Sequence, residues 1–228
     1  MFNLSRKLIY RSLIQAQYIL YLYAMDITLY ILGATIIASL LAFNNENIMR
    51  NWILNPYMVQ HHKQWWRMVS SGFIHADFMH LAFNMIAFYG FGLAVEHYYN
   101  SIFEGMGPLY FTVLYIGGIV IANAPSLAKN KDNHYYNSLG ASGAVAAIIF
   151  AAILFQPWSK IYFFGVIGIP GIVFGPLYLF LEYRMGKQGG TGINHDAHYW
   201  GAIFGVLYTI ALKPKIVLYF FDQLLNGF

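Results

Sequence analysis

The chain has 228 residues, of which 59% are hydrophobic and only 10% charged, with a formal net charge of +4. Soluble domains average about 25% charged residues, so this composition excludes a soluble globule and requires lipid as the solvent for most of the outer surface. With no cysteine, a disulfide scaffold and a cysteine-ligated zinc site are excluded, and no basic run is long enough to point to nucleic acid.

Arg6, Lys7 and Arg11 open the chain, followed by Leu13–Met25, rich in Tyr, Leu and Ile. Asp26 and the apolar run behind it argue against a cleaved signal peptide, so residues 1–26 are expected to form an interfacial amphipathic segment. Bilayer-crossing helices need about 17–25 residues. Such spans are predicted near Ile27–Phe43, Phe78–Tyr99, Met106–Leu127, Ser142–Gln156, Ile161–Tyr183 and His198–Leu212. The expectation is an all-α membrane protein whose single domain, residues 1–228, holds a six-helix core over 27–212 and a tail over 213–228. The tail, apolar and aromatic from Leu218 to Phe221, is predicted as a second interfacial helix. The first, fourth and sixth spans are short, which suggests helices that end inside protein, at a cavity. Lys and Arg nearly balance across the two sides, so charge does not choose an orientation.

Three polar interruptions fall on one side of this arrangement. Asn44–Ser71 carries Trp52, Trp65 and Trp66, and Trp prefers the headgroup region, so this loop is expected to lie in the interface. The second is Ala128–Leu139. The third, Arg184–Ala197, contains Gly186, Gly189, Gly190 and Gly192, a flexible joint between the fifth and sixth spans.

Polar groups inside spans are costly and usually functional. His80 and Asn84, four apart, share one face of the second span, with His75 just before it. They fit either hydrogen bonding between helices or a pair of donors for a developing negative charge. Gly140-Ala141-Ser142-Gly143 opens the fourth span. It fits either a serine cap on a tightly packed helix or a serine beside free backbone N–H groups that favour an anion. Gly201 and Gly205 form a small-xxx-small pair suited to close packing on Gly143, Ala147 and Ala151. That packing would bring His198, one turn before Gly201, near Ser142, where an imidazole can take the hydroxyl proton. A histidine at the membrane surface is the plainer alternative. Glu96, late in the second span, reads as a cap or loop anchor.

Taken together, these residues resemble the rhomboid family of intramembrane serine proteases. The likeness is collinear from Trp65 to Gly205: Trp66-Arg67, then His75, His80 and Asn84 in a His-x4-His-x3-Asn pattern, then the acidic Glu96. Gly140-Ala141-Ser142-Gly143 follows as Gly-x-Ser-Gly, and Ala197-His198 with Gly201 and Gly205 as Ala-His-x2-Gly-x3-Gly. The resemblance implies a six-helix rhomboid-like bundle and a serine endopeptidase acting on single-span transmembrane substrates in the lipid bilayer, near the membrane boundary, without cofactor or metal. Ser142 would be the nucleophile and His198 the base, a dyad with no carboxylate. The Ser142 N–H, His80 and Asn84 would form the oxyanion hole, and His75, Gly140, Gly143, Gly201, Gly205, Trp66, Arg67 and Glu96 would support it. The fifth helix with its glycine joint would be the substrate gate. A multi-pass protein of a prokaryotic plasma (inner) membrane is expected. One departure stands out: many family members carry an aromatic four residues after the serine, packed on the catalytic histidine, and here that position is Ala146. Tyr199 or Trp200 are the expected substitutes for it. Asp196, two residues from His198, is expected to point to a different face.

Other readings explain fewer residues. A di-iron oxygenase would use the eight histidines, but His61-His62 lacks the upstream histidine of a box, and Asn84 and Ser142 go unexplained. A catalytically inactive rhomboid-like protein that binds membrane clients would ordinarily lack Ser142 or His198. A transporter would show paired intramembrane charges or repeated halves.

Overall fold

The computed structural model describes residues 26–163 and 166–227. The N-terminal interfacial segment expected over 1–26 lies outside them, Asp26 excepted. Numbered along the described residues, the helices are α1 (Ile27–Phe43), α2 (Glu46–Trp52), α3 (Pro56–His62), α4 (Arg67–Ser70), α5 (Phe78–Ile102), α6 (Gly107–Asn130) and α7 (Ser142–Phe155). A hairpin of β1 (Lys160–Phe163) and β2 (Ile167–Pro170) leads to α8 (Gly171–Gln188), α9 (His195–Leu212) and α10 (Ile216–Asn226).

Helix starts follow local capping chemistry. Asn45 accepts from the N–H groups of Asn47 and Ile48, Asn55 from Met58, Asp77 from His80 and Asn194 from Ala197. The Asn194 cap starts α9 at His195, three residues before the predicted start, so His198 sits in the first turn. α1 is capped from afar: the buried Glu96 carboxylate of α5 accepts from Ile27 N (2.8 Å), Thr28 N (2.9 Å) and Thr28 Oγ1 (2.7 Å). The predicted cap role of Glu96 thus takes the form of a negative charge at another helix's N-terminus, where the dipole favours it.

The fifth predicted span needs correction. Its first part, from Ile161, is not helical: Lys160 pairs with Pro170 and Phe163 with Ile167 in an antiparallel hairpin. The residues here are rich in Ile, Tyr, Phe and Gly, which suit a strand and turn. Pro170 in an extended conformation (φ −55°, ψ 140°) then sets the helix start at Gly171.

Among the described residues, α5 and α6 are each long and apolar enough to cross a membrane. The α9 and α10 pair passes the same test together but is bent by 109° between them. α1 and α7 are shorter apolar helices. α7 lies at the centre: from Gly143 to Phe155 every residue is buried except Ile149 and Ala152. It packs on α5, α6 and α9, and the main core joins Phe88, Tyr99, Phe111 and Tyr115 to Ala144, Ala147, Ile148 and Phe155. At about 1.5 Å per residue, its 14 residues span about 21 Å, short of the roughly 30 Å hydrocarbon core.

The Asn44–Ser71 connection holds α2, α3 and α4, with Trp52, Trp65 and Trp66 on the surface. Arg67 is buried and holds this connection together. Its Nη1 donates to Arg50 O and Ile53 O, both at 2.7 Å, and its Nε to Gln64 Oε1 at 2.6 Å. The Trp66 ring N–H donates to Asn51 O at 3.2 Å. The tail is helical and leaves Leu218, Phe221 and Leu225 exposed, while Trp158 Nε1 donates to Gln223 O at 3.1 Å.

Candidate active site

The segment leading into α7 is fastened from several directions. Leu54 and Ser138 exchange two backbone hydrogen bonds (2.9 and 3.0 Å), and Gly140 N donates to Ser71 O at 2.9 Å. Gly140 has φ +115°, and a Cβ there would stand 2.6 Å from the His80 ring. Only glycine meets both demands. The Ala141 N–H donates to His75 Nε2 at 3.3 Å. His75 therefore carries its proton on Nδ1, which donates to Ser39 Oγ at 2.9 Å, and that hydroxyl donates onward to Phe73 O at 3.1 Å. His75 is fully buried, and burial pushes its pKa down to about 3, so it stays an acceptor for Ala141. Ser142 is the next residue, at the head of α7.

α9 approaches α7 at backbone distance. A Cβ on Gly201 would lie 2.1 Å from Gly143 O, and one on Gly205 would lie 2.0 Å from Ala147 O. A Cβ on Gly143 would meet that of Ala122 on α6 at 2.4 Å, so α7 is packed equally tightly against α6. This contact brings His198 Nε2 to 2.7 Å from Ser142 Oγ.

The far side of the imidazole is not free. His198 Nδ1 lies 3.1 Å from Glu182 Oε1, and His195 Nδ1 lies 2.6 Å from Glu182 Oε2. A carboxylate only accepts, so His198 donates from Nδ1 and its Nε2 accepts the Ser142 hydroxyl. The expectation of a pair with no carboxylate beside it is thus corrected: α8 supplies one. Asp196 takes no part in this, because its carboxylate is paired with Lys129.

The position left small by Ala146 is also filled from α8. The Tyr178 ring lies over the His198 ring, with centroids 6.5 Å apart and planes 26° apart. The expected substitutes stand elsewhere: Tyr199 faces Tyr183 and Trp200. Ala146 is buried in a second, small core with Phe150, Phe174 and Ala202, and Tyr178 packs against that same core.

Ser142 and His198 line a cavity of about 960 Å³, together with Asp77, His80, Asn84 and Asn194. The His80 ring is edge-on to His75, centroids 5.0 Å apart. One N–H of the Asn84 amide donates to His80 O at 2.9 Å, which leaves its second N–H for the cavity. The cavity rim is tied to α9 through Asn194, whose Nδ2 donates to Ser126 Oγ (2.9 Å) and Ser138 Oγ (3.0 Å). Beyond it runs a turn in which Gly189, Gly190 and Gly192 all have positive φ, whereas Gly186 is part of α8.

The predicted site residues thus fall into two groups. Ser142, His198, His80, Asn84, His75, Gly140, Gly143 and Gly201 are gathered at one end of the bundle. Gly205 sits a turn deeper, Trp66 and Arg67 brace the α2–α4 connection, and Glu96 lies toward the opposite end of α5. Sequence reasoning missed Glu182, Tyr178 and Asn194. The rule that ionisable residues within spans are functional applied to Glu182 as well. Glu182, His195 and His198 hold ligand-type atoms within 4.8 Å of one another, the one such group among the described residues. Hydrogen bonds already account for the facing atoms of all three. The oxygenase set does not form, since both His75 nitrogens are taken up by Ser39 and Ala141.

Fold and site together define a helical membrane bundle with a serine–histidine pair on the wall of a cavity. The chain belongs to the rhomboid family, whose model, described as the Rhomboid domain, matches residues 62–215. It is 27% identical over 175 residues to RHOMBOID-like protein 12, mitochondrial, of Arabidopsis thaliana, covering 70% of this chain and 50% of that protein. It is 28% identical over 153 residues to the human Presenilin-associated rhomboid-like protein, mitochondrial, covering 62% of this chain and 36% of that protein. It is also 28% identical over 153 residues to Rhomboid protease GluP of Bacillus subtilis, covering 67% and 27%. The chain therefore spans half or less of the length of these relatives.

Proposed function

We propose that the chain is an intramembrane serine endopeptidase that cleaves single-span transmembrane proteins near the membrane boundary. The observation that carries this reading is the 2.7 Å contact between Ser142 Oγ and His198 Nε2 at the head of a short, buried helix. Membership of a family in which one relative is named a protease supports it. In this reading α1 and α5–α9 are the six helices of the bilayer core, and α10 lies in the interface. Ser142 Oγ attacks the substrate carbonyl as its proton passes to His198 Nε2. The C–N bond then breaks, and His198 returns the proton to the leaving amine. Water, deprotonated by the same nitrogen, hydrolyses the acyl ester. The Ser142 N–H, the Asn84 amide and His80 are the donors proposed for the oxyanion, where a missing donor costs about 10²–10³ in rate.

Nothing in this chemistry depends on which membrane holds the protein. Two of the relatives are named as mitochondrial proteins and one is bacterial, and the expected prokaryotic inner membrane gains no support from them. The test is cleavage of a model transmembrane substrate in detergent by the wild type, Ser142→Ala and His198→Ala, alongside labelling by a fluorophosphonate. Cleavage and labelling that both substitutions abolish are expected. Cleavage that survives Ser142→Ala, or a wild type that neither cuts nor labels, would overturn the reading.

A further inference from the structure

Glu182 stands between two imidazoles, one on each carboxylate oxygen, with its own side chain 13% exposed and that of His195 5% exposed. The arm beyond His195 is consistent with donation from His195 Nδ1 to Glu182, since a carboxylate only accepts. Ile193 N–H donates to Thr191 Oγ1 at 3.2 Å. The Thr191 hydroxyl is then free to donate to His195 Nε2 at 2.8 Å. His195 carries a proton on Nδ1, donated to Glu182 Oε2. The other carboxylate oxygen accepts from His198 Nδ1, so the bare nitrogen of His198 is Nε2, the one that faces Ser142. A histidine with no acceptor at Nδ1 has no reason to keep this tautomer, and the opposite one presents an N–H to the serine and cannot act as a base.

We propose that Glu182 is the positioning residue of this site and completes a Ser142–His198–Glu182 triad, with His195 and Thr191 holding the carboxylate in place. The proposal rests on the protease reading above. When Oγ bonds to the substrate carbon and its proton moves to Nε2, the positive charge appears on a ring whose Nδ1–H already meets a carboxylate. When the proton leaves Nε2 for the amine, the starting hydrogen bonds are restored. Tyr178, one turn earlier on α8, covers the face of the same ring. One turn of α8 therefore carries both the carboxylate at the imidazole edge and the ring stacked beside it. The other side of α8 exposes Leu177, Phe180, Leu181 and Tyr183. The triad is complete only while α8 is docked, so the position of this helix controls the base.

The experiment compares Glu182→Gln and Glu182→Asp with the wild type in full-length protein. Gln keeps the shape of Glu but offers one oxygen to two N–H donors, so one of the two histidines must face an NH2 group. The expected result is a loss of about 10²–10⁴ in kcat, the range of general-base catalysis, with KM unchanged. Glu182→Asp is expected to retain an intermediate rate. Ring-nitrogen NMR of the histidines supplies a readout that a purely structural role would not move. His198 carries its proton on Nδ1 in the wild type and shifts toward Nε2 in Glu182→Gln. Wild-type kcat in Glu182→Gln, or a wild-type His198 protonated on Nε2, overturns the triad while leaving the protease reading intact. Wild-type cleavage that is lost on chelation and restored by zinc also overturns it, because the three side chains are then a metal site. A wild type that neither cleaves nor labels with fluorophosphonate removes both readings at once.

Discussion

Substituting Gly201 by alanine tests whether the site is built by backbone contact between α7 and α9. The added Cβ would lie 2.1 Å from Gly143 O, against a floor of 3.0 Å for real Cβ contacts. The helices must therefore separate locally by about 0.9 Å, the difference of these two distances. Gly143 O belongs to α7 backbone and has no rotamer to give way. His198 lies three residues before Gly201, so most of the displacement is passed to its ring. The 2.7 Å bond to Ser142 would then open to about 3.5 Å, outside hydrogen-bond reach of about 3.2 Å. Misplacement by 1 Å can cost about 10²-fold in rate, and overpacking a core costs about 1–3 kcal/mol. Gly201→Ala should thus lose about 10²-fold in kcat and unfold at lower temperature in detergent. Gly90→Ala, where a Cβ meets nothing within 4 Å, should do neither. Peptide cleavage rates and thermal unfolding of the two variants measure this. If Gly201→Ala matches Gly90→Ala in both, close approach of the backbones does not set the catalytic distance.

Glu96→Gln replaces an acceptor of three hydrogen bonds by a group with one acceptor oxygen. It should lower stability by about 1.5–3 kcal/mol, the worth of a charged hydrogen bond, without changing kcat well below the unfolding temperature, because Glu96 lies about 24 Å along α5 from His80. Asn84→Ala should lower kcat by about 10²–10³ with unfolding temperature unchanged; an unaltered kcat removes Asn84 from the oxyanion hole. His75 has a folded pKa of about 3 against 6.5 when unfolded. The unfolded chain binds the extra proton between those values, so this group's contribution to stability is full above pH 6.5 and falls on acidification toward pH 3. The slope is at most about 1.4 kcal/mol per pH unit, and denaturation followed between pH 7 and 4.5 should be less pH-dependent in His75→Gln than in the wild type.

Much of this architecture is legible in the chain because membrane helices announce themselves by length and apolarity. The ends of α1 and α7 match prediction within a residue, and the glycines of α9 point to the small-residue face they pack on. The hairpin before α8 was not legible: in an apolar stretch, a run of Ile, Tyr, Phe and Gly has the hydropathy of a span, and only Pro170 marks where the helix begins. The length of α9 depended on one capping residue, Asn194, whose effect is felt three positions on.

The partner of His198 is the harder case, and it shows what kind of information a linear reading lacks. Asp196 is the carboxylate nearest in sequence, yet a residue two positions away on a helix faces elsewhere, and Lys129 of α6 takes it. Glu182 is sixteen positions away and reaches His198 only because the turn at Gly189–Gly192 folds α8 back along α9. The same fold places Tyr178 where Ala146 leaves room. A small side chain on α7 and a large one on α8 are thus two halves of one arrangement. Enlarging Ala146 to tyrosine would force that ring into the cluster of Phe150, Phe174 and Ala202 on which Tyr178 itself packs, so the two aromatic rings compete for one space. An Ala146→Tyr, Tyr178→Ala double variant should recover more activity than Ala146→Tyr alone, measured as initial cleavage rate. Equal rates for the two would mean that the space around His198 is not shared between these positions.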